Sequence, residues 1–169
     1  LCAEHNQCGR LIRHDDPAGT LCAQEFGLAG GVLIENRRFL QTDEQPDWPL
    51  DSGQRDALLE PGTGHTTTTV FDAAASLGCQ TDAVGNRTEN FNTVDGLLRE
   101  TRLKLANAEQ VQTLISDLHY NPTGQLESER LGNGVVSEKA YEAETGRLIR
   151  IFSSRADSAI LQDLNYRYD

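Results

Sequence analysis

The sequence predicts a mainly β chain of antiparallel strands, and three observations lead there. A short phrase recurs along its 169 residues: an aromatic, Asp or Asn, two small residues, Gly, any residue, Leu. Around the phrase, alternate residues sort onto two faces, Leu11 and Arg13 against Arg10 and Ile12, or Leu148 and Arg150 against Ile149 and Ile151, in keeping with the two-residue period of a sheet. Gly, Asp and Asn gather at the centre of each phrase, where a tight turn needs them. A unit repeated this often cannot bury its apolar face alone and must stack on its neighbours.

The cleanest copy is Tyr120-Asn121-Pro122-Thr123-Gly124-Gln125-Leu126. His5 to Leu11 repeats it with Asn6 and Gly9, and Asp15 to Leu21 with Asp16 and Gly19. Phe71 to Leu77 keeps Asp72 but has Ala75 in the Gly slot; Thr81 to Arg87 keeps Asp82 and Gly85. Phe91 to Leu97 has Asn92, with Asp95 where Gly is expected. Tyr141 to Leu148, with Gly146, is one residue longer, and Tyr168-Asp169 opens a last copy. The Asp or Asn side chain can bond to the backbone two residues on, and Gly takes a positive φ at no steric cost. Asp95 is a mild departure, whereas Ala75 predicts a turn of different geometry.

Between the copies the chain reads as follows. Phe26 to Ile34 is Gly-rich. It lacks both the P-loop Lys-Ser/Thr and the G-x-G-x-x-G spacing, so it reads as a bend or bulge leading into a strand from Val32 to Leu40. Residues 41–69 form a non-repeat insertion, acidic and Pro-punctuated around Asp47-Trp48-Pro49, with Trp48 expected to pin it to the sheet. A small helix is expected near 51–60, capped by Asp51-Ser52, running Gln54 to Leu59 and ended by Pro61-Gly62. Thr66 to Val70 is a β-branched strand. Residues 98–118 carry a stripe of Leu, Val and Ile that fits a helix. The repeats on either side favour strands instead, to Leu105 and from Val111, with a turn at 106–109. A hairpin over 127–152 turns at Gly132-Asn133-Gly134, followed by a polar loop from Ser153 to Ser158 and a strand from Ile160 to Tyr168.

Length allows one domain with a real core, here a single repeat segment over 1–169. The start without Met, just before one copy, and the end inside another read as a piece of a longer protein; no signal peptide or membrane span is visible. A net charge of −11, from 26 acidic and 15 basic residues, opposes nucleic-acid binding. Cys2, Cys8, Cys22 and Cys79 match no common zinc spacing and read as small apolar filler, with a disulfide as the other option. His5, His14, His65 and His119 read as packing or solvated residues. Asp15 and Asp16, adjacent in a strand, point to opposite faces and so make a poor carboxylate pair. Asn86-Arg87-Thr88 fits a glycosylation sequon inside a turn.

These phrases resemble the YD-repeat, or Rhs-repeat, family. The ordered set Asn6-Gln7-Cys8-Gly9-Arg10-Leu11, Asp47-Trp48-Pro49, Thr81 to Asn86, Gly132 to Val136 and Leu161 to Asp169 is similar, nearly end to end, to the C component of bacterial toxin-complex (Tc) insecticidal toxins. The resemblance implies a section of a spiral, hollow β-shell that the B and C components build together around the toxic C-terminal part of the C component. It implies a secreted, extracellular virulence assembly. The partners would be the B component, the rest of the same chain and, indirectly, the A component with its membrane channel. Neither nucleic acid nor a membrane would touch this segment. The family's aspartate-dependent protease would lie beyond Asp169, and no family catalytic residue maps onto this chain. The expectation is a non-enzymatic wall with no catalytic, cofactor or metal residues. The alternative is a carbohydrate- or cell-surface-binding module using Trp48 or the Tyr side chains.

Overall fold

The computed structural model describes residues 3–44, 46–155 and 159–169, so the Cys2 reading and part of the 153–158 loop lie outside the described residues. The contacts divide into two compact units, Leu1–Arg87 and Thr88–Asp169. In the first, β1 (Arg13–Asp16), β2 (Gly19–Phe26), β3 (Val32–Phe39), β4 (His65–Phe71) and β5 (Leu77–Thr81) lie side by side in chain order. Every pair among them is antiparallel. The insertion between β3 and β4 carries α1 (Ser52–Asp56). In the second unit β6 (Arg87–Asn92), β7 (Leu98–Lys104), β8 (Val111–Tyr120), β9 (Leu126–Leu131), β10 (Val135–Tyr141), β11 (Leu148–Arg155) and β12 (Ile160–Asn165) also follow chain order. From β7 onward each pair is antiparallel.

The mainly β class expected from alternation is what the chain adopts, including strands at β7 and β8 where local propensity favoured a helix. Pairing in the sheet decides that stretch: Lys104 lies opposite Val111 and Thr101 opposite Ile115. The apolar stripe there falls on strands, and Val111 remains 52% exposed. The Gly132–Gly134 turn also forms as expected, between β9 and β10.

Several expectations fail for physical reasons. Length suggested a real core, yet Phe26, Leu59 and Val135 are the only apolar side chains buried outright among the described residues. Among the described residues the strands of each unit lie side by side in one layer, and such a layer by itself hides few side chains. The copy at residues 5–11 forms successive turns rather than strand, turn, strand, and pairing starts only at Arg13. The helix is shorter and earlier than expected. Asp51 caps it by accepting from the Gln54 amide at 2.9 Å, and the chain leaves it so that Leu59 can pair with Leu40 and become the most buried large side chain. Ser153, Ser154 and Arg155 belong to β11 instead of a loop, since Ser153 pairs with both Ser137 and Gln162. The last strand ends at Asn165 rather than Tyr168.

Candidate functional site in the repeat turns

The repeated phrase folds into one closed turn. At Asp72, Asp82 and Asn121 the backbone N–H donates to the carbonyl four residues on (Ser76, Asn86, Gln125) at 2.9–3.0 Å. The same residue's carbonyl accepts from the amide three residues on (Ala75, Gly85, Gly124) at 2.9–3.0 Å. Its side-chain oxygen accepts from the amides two and four residues on, at 2.8–3.1 Å. One Asp or Asn oxygen thus satisfies two backbone donors that the turn leaves unpaired. At Asp82 the side-chain bond from Asn86, followed by those backbone donors, holds the carboxyl below its usual range.

Gly85 and Gly124 sit at φ 94° and 81°. Ala75, expected to force another geometry, adopts φ 61° in the same turn. The Asp72 bonds over-determine that conformation, so Ala accepts a left-handed cost of roughly 1–2 kcal/mol.

Other copies are displaced from their expected frame. Asn92 ends β6, and Thr93 takes the Asp role: its amide donates to Leu97 O at 2.7 Å and its hydroxyl accepts from Leu97 N at 3.0 Å. Gly96, at φ 84°, is therefore the Gly of that turn, and Asp95 is not. Glu142 holds the longer loop, with Gly146 N donating to Glu142 O and Glu142 N to Arg147 O, both at 2.8 Å. Asp16 closes a two-residue hairpin over Pro17-Ala18, accepting from Ala18 N at 2.8 Å and Gly19 N at 3.1 Å. Gly19 is needed there because a Cβ would collide with the Arg38 carbonyl of β3. Asn6, at φ 53°, sends its amide group to Phe26 O at 2.9 Å instead of closing its own turn with Gly9. Phe26-Gly27-Leu28-Ala29-Gly30-Gly31-Val32 is a copy that sequence reasoning missed. Gly27 N donates to Gly31 O at 2.8 Å and Gly30 N to Gly27 O at 2.9 Å, the bonds that Asp72 makes. Phe26, Gly30 and Val32 carried the signal, which Gly27 in the Asp position concealed.

In the second unit the repeat aromatics join one copy to the one before. Tyr120 Oη donates to Leu98 O at 2.9 Å, Tyr141 Oη to Leu126 O at 2.8 Å, and Tyr168 Oη to Leu148 O at 2.8 Å. Each acceptor is the Leu that ends the preceding phrase once Thr93 and Gly96 define the frame. Burial pushes the Tyr120 phenol up, which keeps it protonated as a donor. Gln125 adds a bond between neighbouring turns, donating to Gly146 O at 2.8 Å. Asp169 follows the last of these tyrosines, beyond the end of β12.

In the first unit charged side chains take this role. Asp15, with its side chain 8% exposed, accepts from Arg13 at 2.9 Å, Arg55 at 2.7 Å and Thr20 at 2.5 Å. Burial raises its pKa, but these donors together outweigh burial and the net shift is downward. On the opposite face Arg37 binds Asp16 through two nitrogens at 2.6 and 2.7 Å, and this pairing first of all lowers the Asp16 carboxyl to about 2. Arg55 helps hold the insertion, since it also donates to Pro49 O and Leu50 O, and Trp48 is half-buried.

Cys8 is exposed rather than filler, Cys22 and Cys79 are half-buried, and all three are free thiols. His65 stacks at an angle on Phe39, with ring centres 5.4 Å apart. Asn86 of the sequon bonds Asp82 within its turn at 2.8 Å.

No family model matches the chain. It is 35% identical over 174 residues to toxin subunit YenC2 of Yersinia entomophaga and 33% identical over 172 residues to YenC1 of the same organism. These alignments take in 97% and 98% of this chain but only 18% and 17% of the relatives, so the chain spans under a fifth of their length. A crystal structure of TcdB2-TccC3 superposes with a TM-score of 0.86 at 36% identity, over 99% of this chain and 8% of that one. A structure of the Photorhabdus luminescens Tc holotoxin pore matches equally well, with a TM-score of 0.86 and 36% identity over 99% of this chain and 8% of that one. The chain is thus homologous to the YenC1 and YenC2 toxin subunits and carries the fold of a stretch of a toxin-complex component.

Proposed function

We infer that this chain is a section of wall in the hollow repeat shell of a toxin-complex subunit, built with a B-type partner around the toxic C-terminal region of the same subunit. The observation that carries the reading is the series of closed turns, three of them tied to the copy before by a tyrosine hydroxyl, with few apolar side chains buried among the described residues. Such a layer encloses space instead of filling it. The likeness to the solved TcdB2-TccC3 assembly supports the same reading. The wall itself is non-enzymatic and acts as part of a secreted assembly.

The test uses the full-length subunit co-expressed with its B-type partner. The intact assembly should protect the C-terminal region from added protease. Excising residues 88–169 should leave that region open to cleavage. Equal protection with and without the segment would refute the wall role.

A further inference from the structure

The stretch from Asp51 to Thr63, which includes α1, interrupts the repeat and is attached to the sheet unlike any hairpin around it. α1 buries none of its residues. Leu59 is its one fully buried side chain. The remaining attachment is polar: a short backbone bridge, with Gln41 N donating to Leu58 O at 3.0 Å and Glu60 N to Phe39 O at 2.8 Å, and side chains that reach it from the strands. Arg13 of β1 donates to Asp56 at 2.8 Å, and Asp15 of β1 receives Arg55 at 2.7 Å. From β3, Asn36 donates to Thr63 O and Arg38 to Glu60 O, both at 2.8 Å. Gln41 donates to Leu59 O at 2.7 Å.

Residues directly opposite one another in an antiparallel pair share a face of the sheet. Cys22 lies opposite both Arg13 and Asn36, and Thr20, two residues away on β2, lies opposite Arg38. These are the residues that grip the stretch, so Cys22 sits on the face it covers. Thr20 there is 2% exposed. The Cys22 thiol is pushed up, chiefly by burial, and it also feels the charge of Asp56 on α1.

We propose that residues 51–63 form a strap that opens as one piece while the sheet beneath it stays folded, with the Arg55–Asp15 and Arg13–Asp56 pairs as its catch and Cys22 beneath it. An element held by two ion pairs, a few bonds to its carbonyls, the single Leu40–Leu59 bridge and one apolar plug opens at far lower free energy than a ladder of paired strands. Salt weakens such a catch through screening. The strap therefore gives the wall a local opening that needs no repeat to come apart.

Peptide-resolved alkylation of the intact chain tests this, with Cys22 as reporter and Cys79, on β5 away from the catch, as internal control. Replacing Arg55→Ala should speed Cys22 alkylation by about tenfold, with Cys79 unchanged, as for a local opening eased by losing one buried partner. Raising salt to about 1 M on the unmodified chain should speed Cys22 alone by a few-fold. Two results would overturn the strap: a Cys22 rate unmoved by both treatments, or Cys22 and Cys79 accelerating together, which is global unfolding. The salt arm keeps the test decisive if Arg55→Ala fails to fold.

Discussion

In the second unit three phenol hydroxyls tie each turn to the copy before it, at Tyr120, Tyr141 and Tyr168. In the first unit the same position holds His5, Asp15, Phe26, Phe71 or Thr81. Phe26 lies under the Arg10 guanidinium, 5.1 Å from its ring centre, and Phe71 lies on Gly31, where a Cβ would strike the ring. The grooves between stacked turns differ in the same way. Leu28, Leu33, Phe71 and Ala73 line the one in the first unit, and Asn121, Thr123, Gln125 and Thr145 the one in the second. One turn geometry therefore tolerates two adhesives. Phenol-to-carbonyl bonds serve where the copies are regular, and ion pairs serve where an insertion must be held. The Asp–Gly turn sets the shape, while the aromatic position decides how neighbouring copies adhere.

The largest effect should come from removing the anion at the centre of the first unit. Asp15→Ala leaves Arg55 without its carboxylate and Arg13 with Asp56 alone, and should destabilise that unit by roughly 3 kcal/mol. Native-state hydrogen exchange should show the loss across β1 to β3 and leave β8 to β11 unchanged. A uniform loss over both units would mean that the two units are not held by different contacts.

Acid should separate the units next. Asp16, at about 2 in the folded chain, lies below its unfolded value. Its contribution is therefore complete above pH ~4 and disappears as pH falls through about 2. Asp15 shifts in the same direction. The depressed carboxylates of the second unit, Glu100 beside Arg102 and Asp163 beside Arg150, are surface pairs and contribute less. An acid titration followed by exchange should show the first unit loosening at higher pH; simultaneous loss would contradict this.

Tyr141→Phe removes one latch without changing ring packing and should cost about 1 kcal/mol. Faster exchange confined to β9 and β10 is the expected readout, and no change at Leu126 and its neighbours would count against the latch. Ala75→Gly is the smallest effect and has the opposite sign. Relieving the left-handed Ala should raise stability by at most ~1 kcal/mol, because the freer unfolded Gly chain offsets part of the gain. Thermal denaturation of the two proteins side by side measures it, and a lower melting temperature for the glycine variant would mean that Ala75 is unstrained.

Much of this architecture could be read from residues because its causes are local. Asp82 and Asn121 close their own turns within four positions, and a strand flanks each of those turns on both sides. What escaped detection depends on distant partners. The acceptor of Tyr120 lies 22 residues away and that of Arg55 lies 40 residues away, so neither the latches nor the catch leaves a local mark. The copy at Gly27 was hidden because its turn closes through backbone bonds alone, with no side chain in the Asp position. The shift from Asn92 to Thr93 arises because a hydroxyl can replace a carboxylate as turn acceptor, leaving both frames acceptable until Gly96 shows its positive φ.

The most direct test of the central claim is a cryo-electron microscopy map of the full-length subunit in complex with its B-type partner. Residues 3–169 should appear as contiguous wall, with density for the C-terminal region confined to the space that wall encloses. A map with this stretch projecting from the particle, and the C-terminal region enclosed without it, would contradict the account.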